Sequence, residues 1–252
     1  MKKPDSGGHK VVNYSMISRP GKREKNEDYI RMCARNGQSV FALADGLGGH
    51  GRGDMASSCV VNQAVDIFRT GQASADNYLE CAFIHAQGCL LQKKKLLGIS
   101  TEMKSTMVLL QITNDEARWA HIGDSRLYFF ENDNIVQRTV DHSVPQMLAR
   151  AGKIKEKEIR NHPDRNKVLR VLGTPWEGSS YEISKSVPLK HRQAFLLCTD
   201  GFWEYITEKE MEKTLRQSKS VAQWLNKMES IVLKNGENKD MDNYSAICVY
   251  VE

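Results

Sequence analysis

Runs of apolar residues along the chain predict nine β-strands. Each run is either almost wholly apolar or alternates apolar with polar residues, and turn-forming residues bound it. The nine runs lie at residues 11–18, 39–45, 106–112, 117–122, 127–131, 135–139, about 180–187, 193–199 and 244–251. Short polar turns join the four runs between residues 106 and 139, which predicts an antiparallel meander there.

Apolar residues at steps of three and four predict α-helices between these runs. Two helices are expected at residues 54–68 and 75–96, and another around Val221 to Val232. A capping box at residues 207–210 opens a further helix. Helices that come in pairs, separated by runs of strands, are typical of helix layers packed on stacked antiparallel sheets.

Two segments lack a regular pattern. Residues 141–175 are polar and include Pro145 and Pro163, which predicts an irregular, flap-like segment. Residues 1–10 are expected to form a flexible tail. With 252 residues, 40% of them hydrophobic and 27% charged, the chain suits one globular domain over residues 1–252.

Composition also limits the class of function. A formal charge of +5 is too small for a dedicated nucleic-acid-binding protein. The run Lys93-Lys94-Lys95 ends a predicted helix, where cations complement the helix dipole. No apolar run approaches the ~18–20 residues that span a bilayer, and no apolar segment follows the basic N-terminus as in a secretory signal. The six cysteines have no metal-binding spacing and are typical of reduced thiols. We therefore expect a cytoplasmic monomer without nucleic-acid or membrane partners.

Acidic residues stand where predicted strands meet loops. The four segments are Asn26-Glu27-Asp28, Asp45-Gly46, Asp200-Gly201 and Asp242-Asn243. A single acid at such a place is usually a turn residue. Two Asp-Gly steps that each follow an apolar strand suggest more, because glycine lets a backbone carbonyl approach a ligand closely. Carboxylates, carbonyls and water are the ligands of Mg²⁺ and Mn²⁺, so the segments predict a site for hard cations.

A glycine-rich segment offers an alternative. Residues 46–51 fit the G-x-G-x-x-G pattern of dinucleotide-binding proteins, and Asp66 lies at the distance that such proteins require. However, Asp45 would place a carboxylate beside an anionic pyrophosphate. Asp66 also falls within a predicted helix instead of ending a second parallel strand. The dinucleotide site is therefore the weaker interpretation.

The acidic segments belong to an ordered series of motifs. These are G-x-R-x-x-N-E-D at 21–28, A-D-G-L-G-G-H at 44–50, G-D-S-R at 123–126, D-H-S at 141–143 with H-P at 162–163, T-D-G-F-W-E at 199–204, and D-N at 242–243. The series covers about residues 12–251 and resembles the metal-dependent protein phosphatases of type 2C, in their compact bacterial form. The resemblance implies an α+β fold, a four-layer αββα sandwich with two antiparallel sheets between two helix layers.

The resemblance also implies a site for two Mg²⁺ or Mn²⁺ ions and a third, weaker one. Carried over residue by residue, Asp45 bridges the two ions and the Gly46 carbonyl contacts one of them. Asp200 and Asp242 hold the other, and Asp124 with Asp200 holds the third. The implied reaction is hydrolysis of phosphoserine and phosphothreonine by in-line attack of the water that bridges the two metals.

Three more residues acquire roles from the resemblance. Glu27 acts on a metal through water, Asp28 supports the ligands, and Arg23 binds the phosphate with its planar fork of donors. For two residues, a purely structural interpretation stays open. Arg23 could be a surface arginine paired with Glu27, and Asp124 could be a turn acid bonded to Arg126.

The proton donor to the leaving group is left open. Leu47 stands where eukaryotic members carry a histidine, and leucine donates no proton. The donor is either His50 or a water on the third metal, and we favour the water because Asp124 lies in a complete motif. His142 and His162 are interpreted as hydrogen-bonded loop residues.

The expected partners are phosphorylated proteins, the substrates of serine/threonine kinases in bacterial signalling. The irregular segment, residues 143–173, is expected to control substrate choice, because loops carry recognition. Besides the dinucleotide-binding protein, a catalytically weak phosphoprotein-binding module remains an alternative, and a turnover assay with metal titration separates it from an enzyme.

Overall fold

A computed structural model of the protein describes residues 11–48, 52–99, 101–176, 178 and 180–252. In chain order, strands β1–β12 are Val12–Arg19, Asp28–Arg35, Gln38–Leu47, Lys104–Ser105, Met107–Ile112, Glu116–Ile122, Arg126–Glu131, Asn134–Arg138, Glu182–Ile183, Val187–Pro188, Gln193–Cys198 and Tyr244–Val251. Helices α1–α6 are Gly53–Thr70, Tyr78–Leu96, Val144–Arg150, Asp200–Trp203, Glu208–Arg216 and Val221–Gly236. Among the described residues, no helix combines the length and apolar character needed to cross a membrane.

The strands form two antiparallel sheets. One has the order β1-β12-β11-β7-β8, and the other has the order β10-β6-β5-β3-β2, with β4 added to β3 and β9 to β6. Helix α1 packs on the second sheet, and α2 packs on α1 and shares its core with that sheet. Helices α4 and α6 pack on the first sheet, and α5 packs on α6 and β8. This is the four-layer αββα arrangement, so the predicted fold class is confirmed.

Strand β3 shows why the sequence folds into layers. Its residues Phe41 and Leu43 point to the core between the two sheets, where Phe129 and Phe195 stack with ring centroids 5.0 Å apart. The alternate residues Val40, Ala42 and Ala44 point to the other face and pack under α1 and α2. A strand that is buried on both faces must be apolar there, which is the pattern that residues 40–44 show.

The predicted meander over residues 106–139 is wrong. β5 pairs with β6, and β7 pairs with β8, but β6 and β7 belong to different sheets. The chain crosses between the sheets at residues 123–125, where Gly123 has φ = 101°, a backbone conformation that favours glycine. Turn residues mark where the chain reverses, but they do not show which sheet the next strand joins. This crossover places Asp124 at the end of both sheets.

Other boundaries also differ from the prediction. Strand β2 has no counterpart among the nine predicted runs, because it is an edge strand whose residues are mostly half-exposed. Only two short strands, β9 and β10, occur near residues 180–187. The irregular segment contains α3 and a 3-10 helix at Glu156–Asn161. The predicted tail at residues 1–10 lies outside the described residues.

Candidate active site

The acidic segments meet at one end of the two sheets. Asp28 begins β2 and lies opposite Asp45 of β3 in the strand register. Asp200 follows β11 in the other sheet, and Asp242 precedes β12. Asp124 lies at the crossover between the sheets, and its charge acts on both Asp45 and Asp200. The structure therefore brings together the carboxylates that the sequence motifs selected.

Hydrogen bonds fix the main chain of Asp45. Its N–H donates to Thr106 Oγ1 at 2.9 Å, and its carbonyl accepts from Ser105 Oγ at 3.0 Å. Thr106 Oγ1 is in turn 2.7 Å from Ser125 Oγ, beside Asp124. The side chain of Asp45 is thus held by a rigid strand, while part of it stays accessible to solvent.

Glu27 and Gly46 are packed against the first turn of α1. A Cβ at Gly46 would lie 2.1 Å from the Gly53 carbonyl oxygen, so only glycine allows the two backbones to approach this closely. Gly53 N–H donates to Glu27 Oε1 at 3.1 Å, and Ser57 Oγ donates to the Glu27 carbonyl at 2.6 Å. Helix α1 therefore orients the carboxylate of Glu27 toward the acidic cluster.

Two polar side chains join the sheets at this end. Asn243 Oδ1 accepts from Glu27 N–H at 2.8 Å, and its amide nitrogen donates to the Lys25 carbonyl at 2.8 Å. Thr199 Oγ1 donates to Asp28 Oδ2 at 2.9 Å and accepts from Ser245 N–H at 2.9 Å. Sequence reasoning assigned no role to Asn243 or Thr199, although each stands beside a predicted metal ligand.

Arg23 lies at the rim of the cluster. Its Nε donates to Asp242 Oδ1 at 3.1 Å, and its Nη1 donates to Asp240 Oδ2 at 3.0 Å. The hydrogen bond and charge of Asp242 raise the pKa of Arg23 above its ordinary value. Arg23 therefore pairs with Asp242 and not with Glu27, the partner that the structural interpretation of Arg23 predicted.

Proton affinities in the cluster are high. Burial and the charges of neighbouring acids raise the pKa of Asp45 and of Asp200 well above the ordinary value. Burial raises the pKa of Asp28 to about 7 and that of Asp124 to about 7. So many carboxylates cannot all carry charge side by side unless cations or protons compensate them.

The donor set fits divalent metal ions. Every carboxylate in the cluster offers hard oxygen ligands, and the Gly46 carbonyl adds another. Asp28 Oδ1 is buried and has no hydrogen-bond partner among the described residues. A buried charged oxygen without a partner is costly, and a nearby cation with its water shell would satisfy it.

The side chain of Asp124 is not bonded to Arg126, as the structural interpretation of Asp124 requires. Arg126 binds Asp141, with Nε–Oδ1 at 2.8 Å and Nη2–Oδ2 at 2.6 Å. Arg126 therefore does not hold the side chain of Asp124. Instead, the Asp124 carbonyl accepts from Trp203 Nε1 at 3.0 Å, a contact that no sequence motif indicated.

The remaining candidates lie elsewhere. His142 and His162 bond to the loop backbone, as predicted, since their Nδ1 atoms accept from Gly123 N–H at 3.2 Å and Asp164 N–H at 3.1 Å. Asp66 lies within α1, away from any strand end. His50, the alternative proton donor, lies outside the described residues.

Comparisons with known proteins agree with this arrangement. A family model described as "Protein phosphatase 2C" matches residues 18–244. The serine/threonine phosphatase stp of Listeria monocytogenes is 29% identical over 233 residues, which cover 90% of each chain. The crystal structure of the Mycobacterium tuberculosis serine/threonine phosphatase PstP/Ppp covers 96% of this chain and 99% of its own, with 26% identity and a TM-score of 0.84. A second structure of the PstP catalytic domain, described as a complex with two manganese ions, shares 24% identity and a TM-score of 0.82, and covers 96% and 99% of the two chains.

Proposed function

The chain belongs to the protein phosphatase 2C family, and from this membership and the acidic cluster we propose the details of a two-metal phosphatase site. The protein is a metal-dependent serine/threonine protein phosphatase, a hydrolase that acts on phosphorylated proteins. The observation that carries the detailed proposal is the convergence of Asp45, Asp200, Asp242 and Asp124 from both sheets. We take residues 1–252 as one catalytic domain.

The metals are Mg²⁺ or Mn²⁺, two per chain. Asp45 would hold both ions, the Gly46 carbonyl would bind one of them, and Asp200 and Asp242 would bind the other. Support comes from the oxygen-only donor set and from the two manganese ions described for PstP. When bound, such ions neutralise phosphate oxygens and lower the pKa of coordinated water, which supplies a nucleophile at neutral pH.

The chain's own residues position the substrate and the ligands. The pKa of Asp45 and of Asp200 is raised by burial and by neighbouring acids, and bound cations would compensate these negative charges. Glu27, held by α1, contributes through water, and Asp28 supports the ligands from behind. Arg23 now pairs with Asp242, and it would be released from that carboxylate if Asp242 bound a cation. Arg23 then offers a half-exposed guanidinium to the phosphate.

Two finer points extend the proposal. Asp124 and Asp200 would hold a third, weaker ion, because the two carboxylates are close enough for their charges to repel each other. The proton donor to a serine leaving group depends on this third position and not on His50.

The chain acts as a cytoplasmic monomer on substrates of serine/threonine kinases. Comparing phosphoproteomes of cells with and without the gene would identify these substrates.

The test uses Asp45→Asn and Asp200→Asn. Each should lower turnover of p-nitrophenyl phosphate and of phosphopeptides by about a thousandfold or more, because a group that organises charge in the transition state is lost. Each variant should stay folded without metal, since removing one charge relieves repulsion within the cluster.

The measurements are turnover with and without added Mn²⁺, and circular dichroism. Full wild-type activity in excess chelator, or a normally active Asp45→Asn protein, would refute the ligand assignment.

A second prediction concerns the proton donor. Asp124→Asn should slow phosphopeptide hydrolysis more than hydrolysis of p-nitrophenyl phosphate, whose leaving group needs no proton. His50→Ala should slow both only modestly. A selective loss of phosphopeptide turnover in His50→Ala would reverse the assignment.

A further inference from the structure

A buried aromatic and cationic cluster lies directly behind the acidic residues. Trp203 ends α4, the short helix that begins at Asp200, and its side chain is 2% exposed. The guanidinium carbon of Arg126 lies 3.4 Å from the centroid of the Trp203 ring. Arg126 also bonds to Asp141 through two nitrogens and to Tyr128 Oη at 3.0 Å. Every polar side of the guanidinium is thus occupied by a fixed partner.

The indole edge of Trp203 carries the contact that matters for the site. Its Nε1–H donates to the Asp124 carbonyl at 3.0 Å, across 79 positions of sequence. Asp124 lies on the crossover between the sheets, whereas Trp203 belongs to the α4 turn. This hydrogen bond is therefore a direct tie between the main chain that carries Asp124 and the helix that carries Asp200.

We propose that Trp203 is a positioning residue that sets the affinity of the third metal position by fixing the main chain of Asp124 relative to Asp200. Arg126 fixes the face of the indole ring by a buried cation–π contact, and the indole N–H fixes the Asp124 backbone. The inference rests on the proposed function, because it takes Asp124 and Asp200 as ligands of one ion.

Groups that orient metal ligands from behind change affinity without touching the metal. Loss of such a partner usually lowers metal affinity about 10–100-fold. Asp45, Asp200 and Asp242, the ligands of the two tighter positions, have their own hydrogen bonds, to Thr106, Gly201 and Arg23, and none of these bonds involves Trp203. The effect of Trp203 should consequently be confined to the third position.

The chain offers a matched control in Trp224. This residue is also fully buried, and its Nε1–H also donates to a backbone carbonyl, that of Met211, at 3.2 Å. Its ring packs on Phe130 of β7 and Tyr250 of β12, between α6 and the first sheet. Trp203→Phe and Trp224→Phe therefore remove the same kind of bond, but only the first removes a bond to the acidic cluster.

The experiment is a calorimetric Mn²⁺ titration of chelator-treated, dialysed protein. Asp124→Asn identifies the weak binding event by abolishing it. Trp203→Phe should raise the Kd of that event about tenfold or more, while leaving the tighter events unchanged. The Mn²⁺ concentration for half-maximal hydrolysis of a phosphoserine peptide should rise by the same factor, because its leaving group needs the proton that the third position supplies. Trp224→Phe should bind Mn²⁺ as the wild type does, although its thermal unfolding temperature falls to a similar extent.

The outcomes separate the two proposals. Wild-type protein that binds no Mn²⁺ contradicts the proposed function itself. Wild-type binding that is normal, together with identical isotherms for Trp203→Phe and Trp224→Phe, overturns the positioning role and leaves Trp203 a core residue. If Trp203→Phe does not fold, Tyr128→Phe replaces it, because it removes one bond from Arg126. A smaller rise in the same Kd is expected there, and an unchanged Kd overturns the inference.

Discussion

Burial controls the protonation of two stacked histidines close to the acidic cluster. The rings of His121 and His142 are 4.8 Å apart and within 7° of parallel. Burial lowers the pKa of His121 and lowers that of His142 to about 4, with the neighbouring His121 contributing. His121 Nε2 is 2.9 Å from the Val140 carbonyl oxygen, and His142 Nε2 is 3.3 Å from Glu182 Oε1.

These groups could be mistaken for a metal site. Ligand atoms of His121, His142 and Glu182 lie within 4.8 Å of one another. A metal must lie in the plane of each imidazole that binds it, and two parallel stacked rings share no such plane. Each histidine also has a hydrogen-bond partner in the protein already. The cluster is therefore better explained as a hydrogen-bonded support for the crossover at Gly123.

The low pKa of His142 predicts acid sensitivity. Between pH 6.5 and about 4, the unfolded chain binds a proton that the folded chain does not, so the free energy of unfolding falls as the pH falls. For one proton, the free energy of unfolding changes by about 1.4 kcal/mol per pH unit in this range. His142→Gln should remove this contribution and flatten the curve across that range.

Urea unfolding at several pH values, in chelator, measures the effect. The buried acids whose pKa is raised contribute a slope of opposite sign, but they do so in both proteins. The difference between wild type and His142→Gln is therefore the quantity to compare. Equal slopes in the two proteins would contradict the assignment.

At the scale of elements, the contact between β3 and α1 positions two predicted ligands. A Cβ at Gly53 would lie 2.5 Å from the Gly46 carbonyl oxygen and 2.7 Å from the carboxyl carbon of Glu27. Gly53→Ala should therefore push α1 away from both ligands. We expect a loss of about 1–3 kcal/mol in the free energy of unfolding and weaker Mn²⁺ binding.

Gly88 is the matched control for this substitution. It lies within α2, and a Cβ there would meet nothing within 4 Å. Gly88→Ala should raise the free energy of unfolding by roughly 0.5–1 kcal/mol, because glycine loses more backbone entropy in a helix. Denaturant unfolding and Mn²⁺ titration of both variants check the pair. If Gly53→Ala behaves like Gly88→Ala, the close contact does not constrain the site.

The sequence predicted elements well where burial is one-sided or complete. The apolar run of β3 and the capping box of α5 both appear as expected, with Thr207 Oγ1 accepting from Glu210 N–H. Strand β2 escaped prediction because its half-exposed residues carry no clear period. The sheet to which β7 belongs also escaped, because strand pairing is a long-range property that no local pattern reports.

The same distinction holds for the site. Motif order selected the acids at the strand ends, since each motif is local. The tie from Trp203 to Asp124 and the bridge from Asn243 to Glu27 join residues far apart in sequence. Only the folded arrangement of the two sheets shows such contacts, so they could not be predicted from one sequence.

For the molecule as a whole, the irregular segment is anchored beside the acidic cluster. Arg165 pairs with Glu204 at 3.0 Å, just beyond α4, and Arg160 donates to the Ile206 carbonyl at 2.7 Å. An isolated antiparallel backbone bridge joins Ser143 to Val168. The stretch 151–158 between these anchors is mostly exposed, so a large substrate can contact it without disturbing the ligands.

Replacing residues 151–158 with a glycine-serine linker tests the role of this segment in substrate choice. The kcat/KM for phosphopeptides should fall by at least about tenfold, ~1.4 kcal/mol of binding energy. Turnover of p-nitrophenyl phosphate should stay close to that of the wild type, because the ligands lie on strands. An equal decrease for both substrates would rule out a role in specificity.

The pairing of the first and last strands has a consequence for how the chain can be connected. β1 lies antiparallel to β12, with Val12 opposite Val251, and Val11 N–H donates to the Glu252 carbonyl at 2.9 Å. Residues 11 and 252 are thus neighbours, and a short linker can join them. The turn at Asn132 and Asp133 leads only to β8, an edge strand, so new ends can be opened there. A circularly permuted protein of this kind should keep its fold and its phosphatase activity, since every ligand remains on an uninterrupted sheet.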